Sequence, residues 1–356
     1  MTLTVALLLA SGLATGLASG QGARMTVTPA SPRLSSPPIV IAHRGSSGER
    51  PEHTLASYTR AIEQGADVIE PDLVPTKDNV LVARHENEIS ETTDVANHPE
   101  FAARRTTRTI DGQSLTGWFT EDFTLAELKT LRAKERLPQL RAANTAFDGQ
   151  ETIPTLAEII ALAKARGVAI YPETKHPTYF AKIGHPTDQL LVDQLKAAGW
   201  DSADAPVFIQ SFEVDNLKRL KALTHIRLIQ LVAAAGAPAD GAAASYAAMM
   251  TPAGLRQVAN YAWGIGLDKA MLWQGDAPTM LVADAHAAGL RVHPWTYRAE
   301  NVFVRARFRR GDEPRGHGDL AGEVAAALAQ GIDGFFTDFP AIGVATRDAF
   351  VAREKK

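Results

Sequence analysis

Two histidines stand where apolar runs stop: His43 after Ile39-Val40-Ile41-Ala42, and His85 after Val80-Leu81-Val82-Ala83-Arg84. Imidazoles titrate near neutrality, so one can withdraw a proton from a nucleophile while the other delivers one to a leaving oxygen. Between them, Asp67-Val68-Ile69-Glu70-Pro71-Asp72-Leu73-Val74 reads as a strand whose period of two turns Glu70 and Asp72 to one face. Two carboxylates there repel unless a cation joins them. A hard divalent ion held by oxygens would neutralise a phosphoryl group and stabilise charge building on it, so phosphoryl chemistry is the expectation.

Those groups need elements that carry them to one place. The run ending at His43-Arg44-Gly45 has the apolarity of a buried parallel strand, which puts function at its C-terminal mouth. Behind it, Thr54 to Ile62 has helical spacing, with Thr54 as cap and Gly65 as stop. Asp78-Asn79 signals a turn, and Val80 to Glu86 is expected as the next strand, so that His43 and His85 close two successive strands. Further on, Val168-Ala169-Ile170-Tyr171-Pro172-Glu173 is a strand that ends in Glu173 and, two residues later, Lys175. One would be a third carboxylate ligand and the other a cation for phosphate, although an isolated Glu-x-Lys is usually a surface pair. Gln210 closes Val207-Phe208-Ile209 and is equally a hydrogen-bonding group for substrate or ligand and a satisfied strand-end amide.

In this order and spacing, His43-Arg44-Gly45, Pro51-Glu52-His53-Thr54-Leu55, Glu70-Pro71-Asp72, Thr76-Lys77-Asp78 and His85 resemble the glycerophosphodiester phosphodiesterase family, a family of TIM (β/α)8 barrels. Tyr171 to Lys175, Gln210-Ser211-Phe212, His293-Pro294-Trp295-Thr296 and Gly334 to Pro340 extend the resemblance from about Pro38 to the C-terminal helix. It implies hydrolysis of a glycerophosphodiester to glycerol 3-phosphate and a free alcohol. Glu70, Asp72 and Glu173 would hold one divalent cation, and His43 and His85 would divide the proton transfers. Arg44, Lys175, Gln210, Phe212 and Trp295 form the expected substrate-binding set, with Trp295 as a wall for a small alcohol, and Glu52 is expected to orient Arg44 or a water on the metal. All-oxygen ligands argue against zinc; Ca²⁺ is expected, with Mg²⁺ as the alternative. The sequence departs from the common family text at Glu86, where the histidine is often followed by Asp, and at Glu91, often an arginine.

A chain of 356 residues suits one (β/α)8 barrel with insertions, and about eight strands can be counted. Composition is globular, at 45% hydrophobic and 22% charged, and a formal charge of -3 gives no reason to expect nucleic acid as partner. There is no cysteine, which excludes disulfides, thiolate metal sites and a cysteine nucleophile. Residues 1–24, with the apolar centre Val5 to Ala10, read as a signal peptide, and 25–37 as a linker, so a periplasmic or secreted address is expected without a stable membrane anchor. The barrel domain would span 38–352.

Within it, 87–152 loses the alternation of strand and helix and reads as an insertion over the barrel mouth, following the second barrel strand, with one helix at Thr124 to Leu131. Trp118-Phe119 would hold it as an aromatic cluster. His293, followed by proline, reads as a structural histidine, and the arginines of 301–318 as a solvated face. The alternatives are a phospholipase D-like or sphingomyelinase D-like enzyme, a teichoic-acid phosphodiesterase, and a non-catalytic exported phosphodiester-binding protein.

Overall fold

Eight parallel strands alternating with eight helices close into a barrel in the computed structural model, which describes residues 37–355. The expected signal and linker lie outside the described residues, apart from Pro37. The barrel strands are β1 (Ile39–His43), β2 (Val68–Glu70 continued as Asp72–Pro75), β3 (Ala169–Ile170 continued as Glu173–Thr174), β4 (Phe208–Ser211), β5 (Arg227–Val232), β6 (Gly264–Leu267), β7 (Arg291–Val292) and β8 (Gly334–Thr337). Each pairs with its neighbour in sequence, and β8 returns to β1 through Ile39↔Gly334 to Ala42↔Thr337. Strand β7 meets β8 where Asp333 N donates to Val292 O and Phe336 N to Pro294 O, both at 3.0 Å.

Prolines explain why β2 and β3 come in two pieces. Pro71 and Pro172 lack an N–H and cannot donate to the ladder. Their carbonyls still accept, from Glu173 N and Gln210 N at 2.9 Å, so each strand continues past the gap.

The outer helices are α1 (Leu55–Glu63), α2 (Leu156–Arg166), α3 (Thr187–Ala197), α4 (Val214–Leu223), α5 (Pro252–Val258), α6 (Leu281–Ala287), α7 (Leu320–Leu328) and α8 (Pro340–Glu354). Local chemistry sets their ends. The Thr54 hydroxyl accepts from Ser57 N to start α1, and Thr155 and Glu158 form a reciprocal capping box on α2, which stops at left-handed Gly167. No helix of the described residues is long and apolar enough to cross a membrane.

Inside the barrel, Ile41, Val68, Tyr171, Phe208, Ile229 and Phe336 pack as a closed floor, with Tyr171 stacked on Phe208 at 5.0 Å. Because side chains alternate along a strand, the residue two positions further faces the same way, one layer nearer the mouth. Those residues are His43, Glu70, Glu173, Gln210, Leu231 and Asp338.

One expectation needs correcting. The strand leading to His85, Leu81–Ala83, is not a successive barrel strand: it runs antiparallel to the outer half of β2, with Leu73↔Ala83 in register. Strand β2 overshoots the rim, turns at 76–80, and the return strand brings His85 back down. Parallel and antiparallel strands of this length look alike in sequence.

Residues 87–152 add no barrel strand, but they are more regular than their polarity suggests. Thr106–Ile110 and Gln113–Gly117 form a hairpin around Asp111-Gly112, both at positive φ. The expected helix is shorter, Leu125–Leu128. Trp118, Phe101 and Phe123 share a small core beneath it.

Candidate active site

Register brings the acidic and imidazole groups together at the barrel's C-terminal mouth. His43 pairs with Glu70 across β1 and β2, Asp72 with Glu173 across β2 and β3, and Glu173 with Gln210 across β3 and β4. These residues line a cavity of about 380 Å³, together with Arg44, His85, Phe212, Trp295, Arg136 and Arg298.

Glu70, Asp72 and Glu173 are all buried, and one oxygen of each lies within 4.8 Å of the others. Burial and then the neighbouring Asp72 charge push the Glu70 carboxyl well above its usual range, and burial chiefly, outweighing Lys175, raises Glu173 to about 8. For Asp72 burial also opposes ionisation, but the hydrogen bond from His53 and the charge of Arg44 hold it well below the carboxylate range. Three buried carboxylates with two resisting ionisation is the electrostatic pattern a bound cation would relieve. The donor set fits a hard ion: carboxylate oxygens, with the buried Gln210 Oε1 beside them lacking any partner. Gln210 Nε2 donates to Glu70 Oε1 at 3.0 Å, so this amide is tied to the acidic cluster.

Each imidazole is oriented by a carboxylate. His43 Nδ1 lies 2.6 Å from Asp338 Oδ1 and His85 Nδ1 lies 2.9 Å from Glu86 Oε1; the tautomers that satisfy these contacts carry the proton on Nδ1 and leave Nε2 with a lone pair. Burial first, then Arg44, lowers His43 to about 4 despite Asp338. Burial, then Arg44 and Lys175, lowers His85 to about 3. Both rings are neutral at neutral pH in the free protein.

Arg44 sits at positive φ just after β1, and Gly45 follows at φ 87°, where a Cβ would meet the Ser57 backbone. The Arg44 guanidinium is held by both oxygens of Glu52 at 3.1 Å and pairs with Asp72 at 3.3 Å. Its backbone N–H donates to Glu70 at 2.8 Å. Lys175 Nζ lies 3.0 Å from Glu173 and 3.5 Å from His85 Nε2, behind the wall of the main cavity and lining the smaller one beside it. Phe212 and Trp295 meet edge to face at 5.8 Å, and Trp295 Nε1 is bound to Gly266 O. His293 is buried against the Tyr171 hydroxyl at 2.9 Å, below the mouth.

Several site residues escaped sequence reasoning. Asp338 holds His43 and in turn accepts from Arg141 and from Arg298, the latter at 3.0 Å. Arg136 of the insertion donates to Glu52 at 2.8 Å, and Arg141 bridges Asp338 and Glu300. The inward position of Asp338, two after Phe336, was a readable signal; nothing local marked Arg136 or Arg141.

Residues 43–342 match the model of the glycerophosphoryl diester phosphodiesterase family. The chain is 38% identical over 328 residues to a glycerophosphodiester phosphodiesterase of Arabidopsis thaliana, covering 86% of this chain and 85% of that one. One from Haemophilus influenzae is 29% identical over 377 residues, 95% and 96% of the two chains. Among solved structures, an Oleispira antarctica phosphodiesterase in complex with the product sn-glycerol-3-phosphate aligns at TM-score 0.60 and 25% identity, covering 88% of this chain and 97% of that one. An Agrobacterium tumefaciens glycerophosphodiester phosphodiesterase aligns at TM-score 0.56 and 18% identity over 86% and 99%, a likeness of fold.

Proposed function

The chain belongs to the glycerophosphoryl diester phosphodiesterase family and is an enzyme of that class; from this premise we propose that it hydrolyses water-soluble glycerophosphodiesters to sn-glycerol 3-phosphate and an alcohol, with a divalent cation and two histidines. The observation that carries the reading is the placement of two carboxylate-oriented imidazoles, His43 and His85, in one cavity with the buried trio Glu70, Asp72 and Glu173.

Glu70, Asp72 and Glu173 would hold the cation, Ca²⁺ in our reading and Mg²⁺ as the alternative. Bound there, it would supply Lewis-acid neutralisation of the phosphoryl oxygens. Arg44, braced by Glu52, balances charge on the diester, and Lys175 adds its field from behind Glu173. One Nε2 lone pair takes the proton of the nucleophile, water or the glycerol 2-hydroxyl. The arriving phosphodiester anion raises the imidazole pKa values from the low values of the free site, so the other ring can carry a proton to the leaving oxygen. Phe212 and Trp295 give the glycerol carbons an apolar wall. A cavity of about 380 Å³ favours a deacylated headgroup over a diester bearing two acyl chains. The signal-like 1–24 supports an address in the periplasm or outside the cell, checked by N-terminal sequencing of the exported protein.

Turnover of glycerophosphocholine with Ca²⁺ or EDTA tests the proposal. His43→Ala and His85→Ala should each lower kcat about a hundredfold to ten-thousandfold. Near-wild-type rates in both variants with cation bound would refute it.

A further inference from the structure

His176 has no part in the reaction derived above, yet it occupies a costly position. Its backbone is left-handed, at φ 45°, immediately before Pro177, a conformation worth roughly 1 kcal/mol or more of strain for a residue that is not glycine. Its two ring nitrogens are both engaged by carboxylates: Nε2 lies 2.9 Å from Glu86 Oε2 and Nδ1 lies 2.6 Å from Asp111 Oδ2. The other oxygen of Glu86 holds His85 Nδ1 at 2.9 Å. Asp111 is the tip of the hairpin formed by Thr106–Ile110 and Gln113–Gly117.

We propose that His176 is a positioning residue for His85, clamping Glu86 between the barrel and the hairpin tip so that His85 presents Nε2 to the cavity. The inference rests on the proposed role of His85 in hydrolysis. A protonated imidazole donates from both nitrogens, which matches two acceptors. Burial opposes that charge, but Asp111 and Glu86 outweigh it and raise His176 to about 9. Glu86 is one methylene longer than Asp and flexible; a second contact removes the freedom that would let it release or turn the His85 ring. The hairpin therefore acts on the reaction through three side chains in series, without touching substrate.

A double-mutant cycle on the full chain, assayed with glycerophosphocholine and Ca²⁺, tests this. His176→Ala should lower kcat about tenfold to a hundredfold with KM within about twofold, the size seen when a group orienting a ligand is lost. In a His85→Ala background the same substitution should change kcat by less than about twofold, because the group it acts through is gone. Asp111→Asn, at an exposed hairpin tip where the fold tolerates change, should show the same dependence with a smaller loss. Wild-type kcat in His176→Ala, or an equal loss in both backgrounds, overturns the proposal. If His85→Ala itself matches wild type, the underlying mechanism fails instead, so the two failures are distinguishable.

Discussion

At the scale of single residues, the site is a balance of buried charge that leaves one place for a cation. Glu173 carries a carboxyl raised to about 8, so it is largely protonated at pH 7 in the cation-free protein. Glu70 is raised as well, so cation binding should expel more than one proton at pH 7, with the Glu173 share declining above pH 8, and affinity should rise with pH across that interval. Titration calorimetry of Ca²⁺ into EDTA-stripped protein, run in two buffers of different ionisation enthalpy, reads this directly; identical heats in both buffers would refute the assignment. Much of this site is visible in the sequence because inward positions on a strand recur every second residue: His43, Glu70, Glu173 and Gln210 each follow a floor residue by two. Asp338 obeys the same rule after Phe336. His176 is different, since a histidine after Lys175 means nothing until the hairpin brings Asp111 to it.

At the scale of elements, the insertion reaches the site along separate arms, each ending on a carboxylate that orients a reacting or charge-balancing group. Arg136 holds Glu52, which holds Arg44; Arg141 holds Asp338, which holds His43; Asp111 holds His176 and so Glu86. The hairpin's Asp-Gly turn between β-branched runs, Thr106-Thr107 and Ile110 before it, was a readable signal, hidden by surrounding polarity. The docking of the arms depends on contacts between distant parts of the chain, 197 positions apart for Arg141 and Asp338, which no local pattern encodes. Arg141 is buried, with its guanidinium on Glu300 at 2.6 Å as well as on Asp338. Arg141→Met would leave the buried Glu300 without its arginine and Asp338 with Arg298 as its only arginine, a loss of about 3–5 kcal/mol in urea unfolding. Because Asp338 would lose one of its two arginines at the same time, kcat should fall even where the variant remains folded. An unchanged kcat would mean that the insertion does not brace His43.

At the scale of the whole molecule, opposed histidines shape stability against pH. His43 and His293 are buried with folded pKa values of about 4, chiefly from burial, against 6.5 in the unfolded chain. Above pH 6.5 they are neutral in both states; below it the unfolded chain takes up protons first, so stability is lost as pH falls from 6.5 towards 4. Each contributes up to about 1.4 kcal/mol per pH unit across that window. His176 has the opposite sign: raised to about 9, its contribution is complete below pH 6.5 and is lost as pH rises through 9. Glu173, raised to about 8, also favours the folded state most when protonated, but only while no cation offsets its charge. Urea midpoints should therefore fall on both sides of a maximum near neutrality, with the alkaline loss larger in EDTA than in Ca²⁺. His176→Asn, which tolerates the left-handed backbone without the charge, should flatten the alkaline limb in Ca²⁺ while leaving the acid limb in place. An alkaline limb that persists in that variant with Ca²⁺ bound would show that the charge on His176 is not what the hairpin and the barrel share.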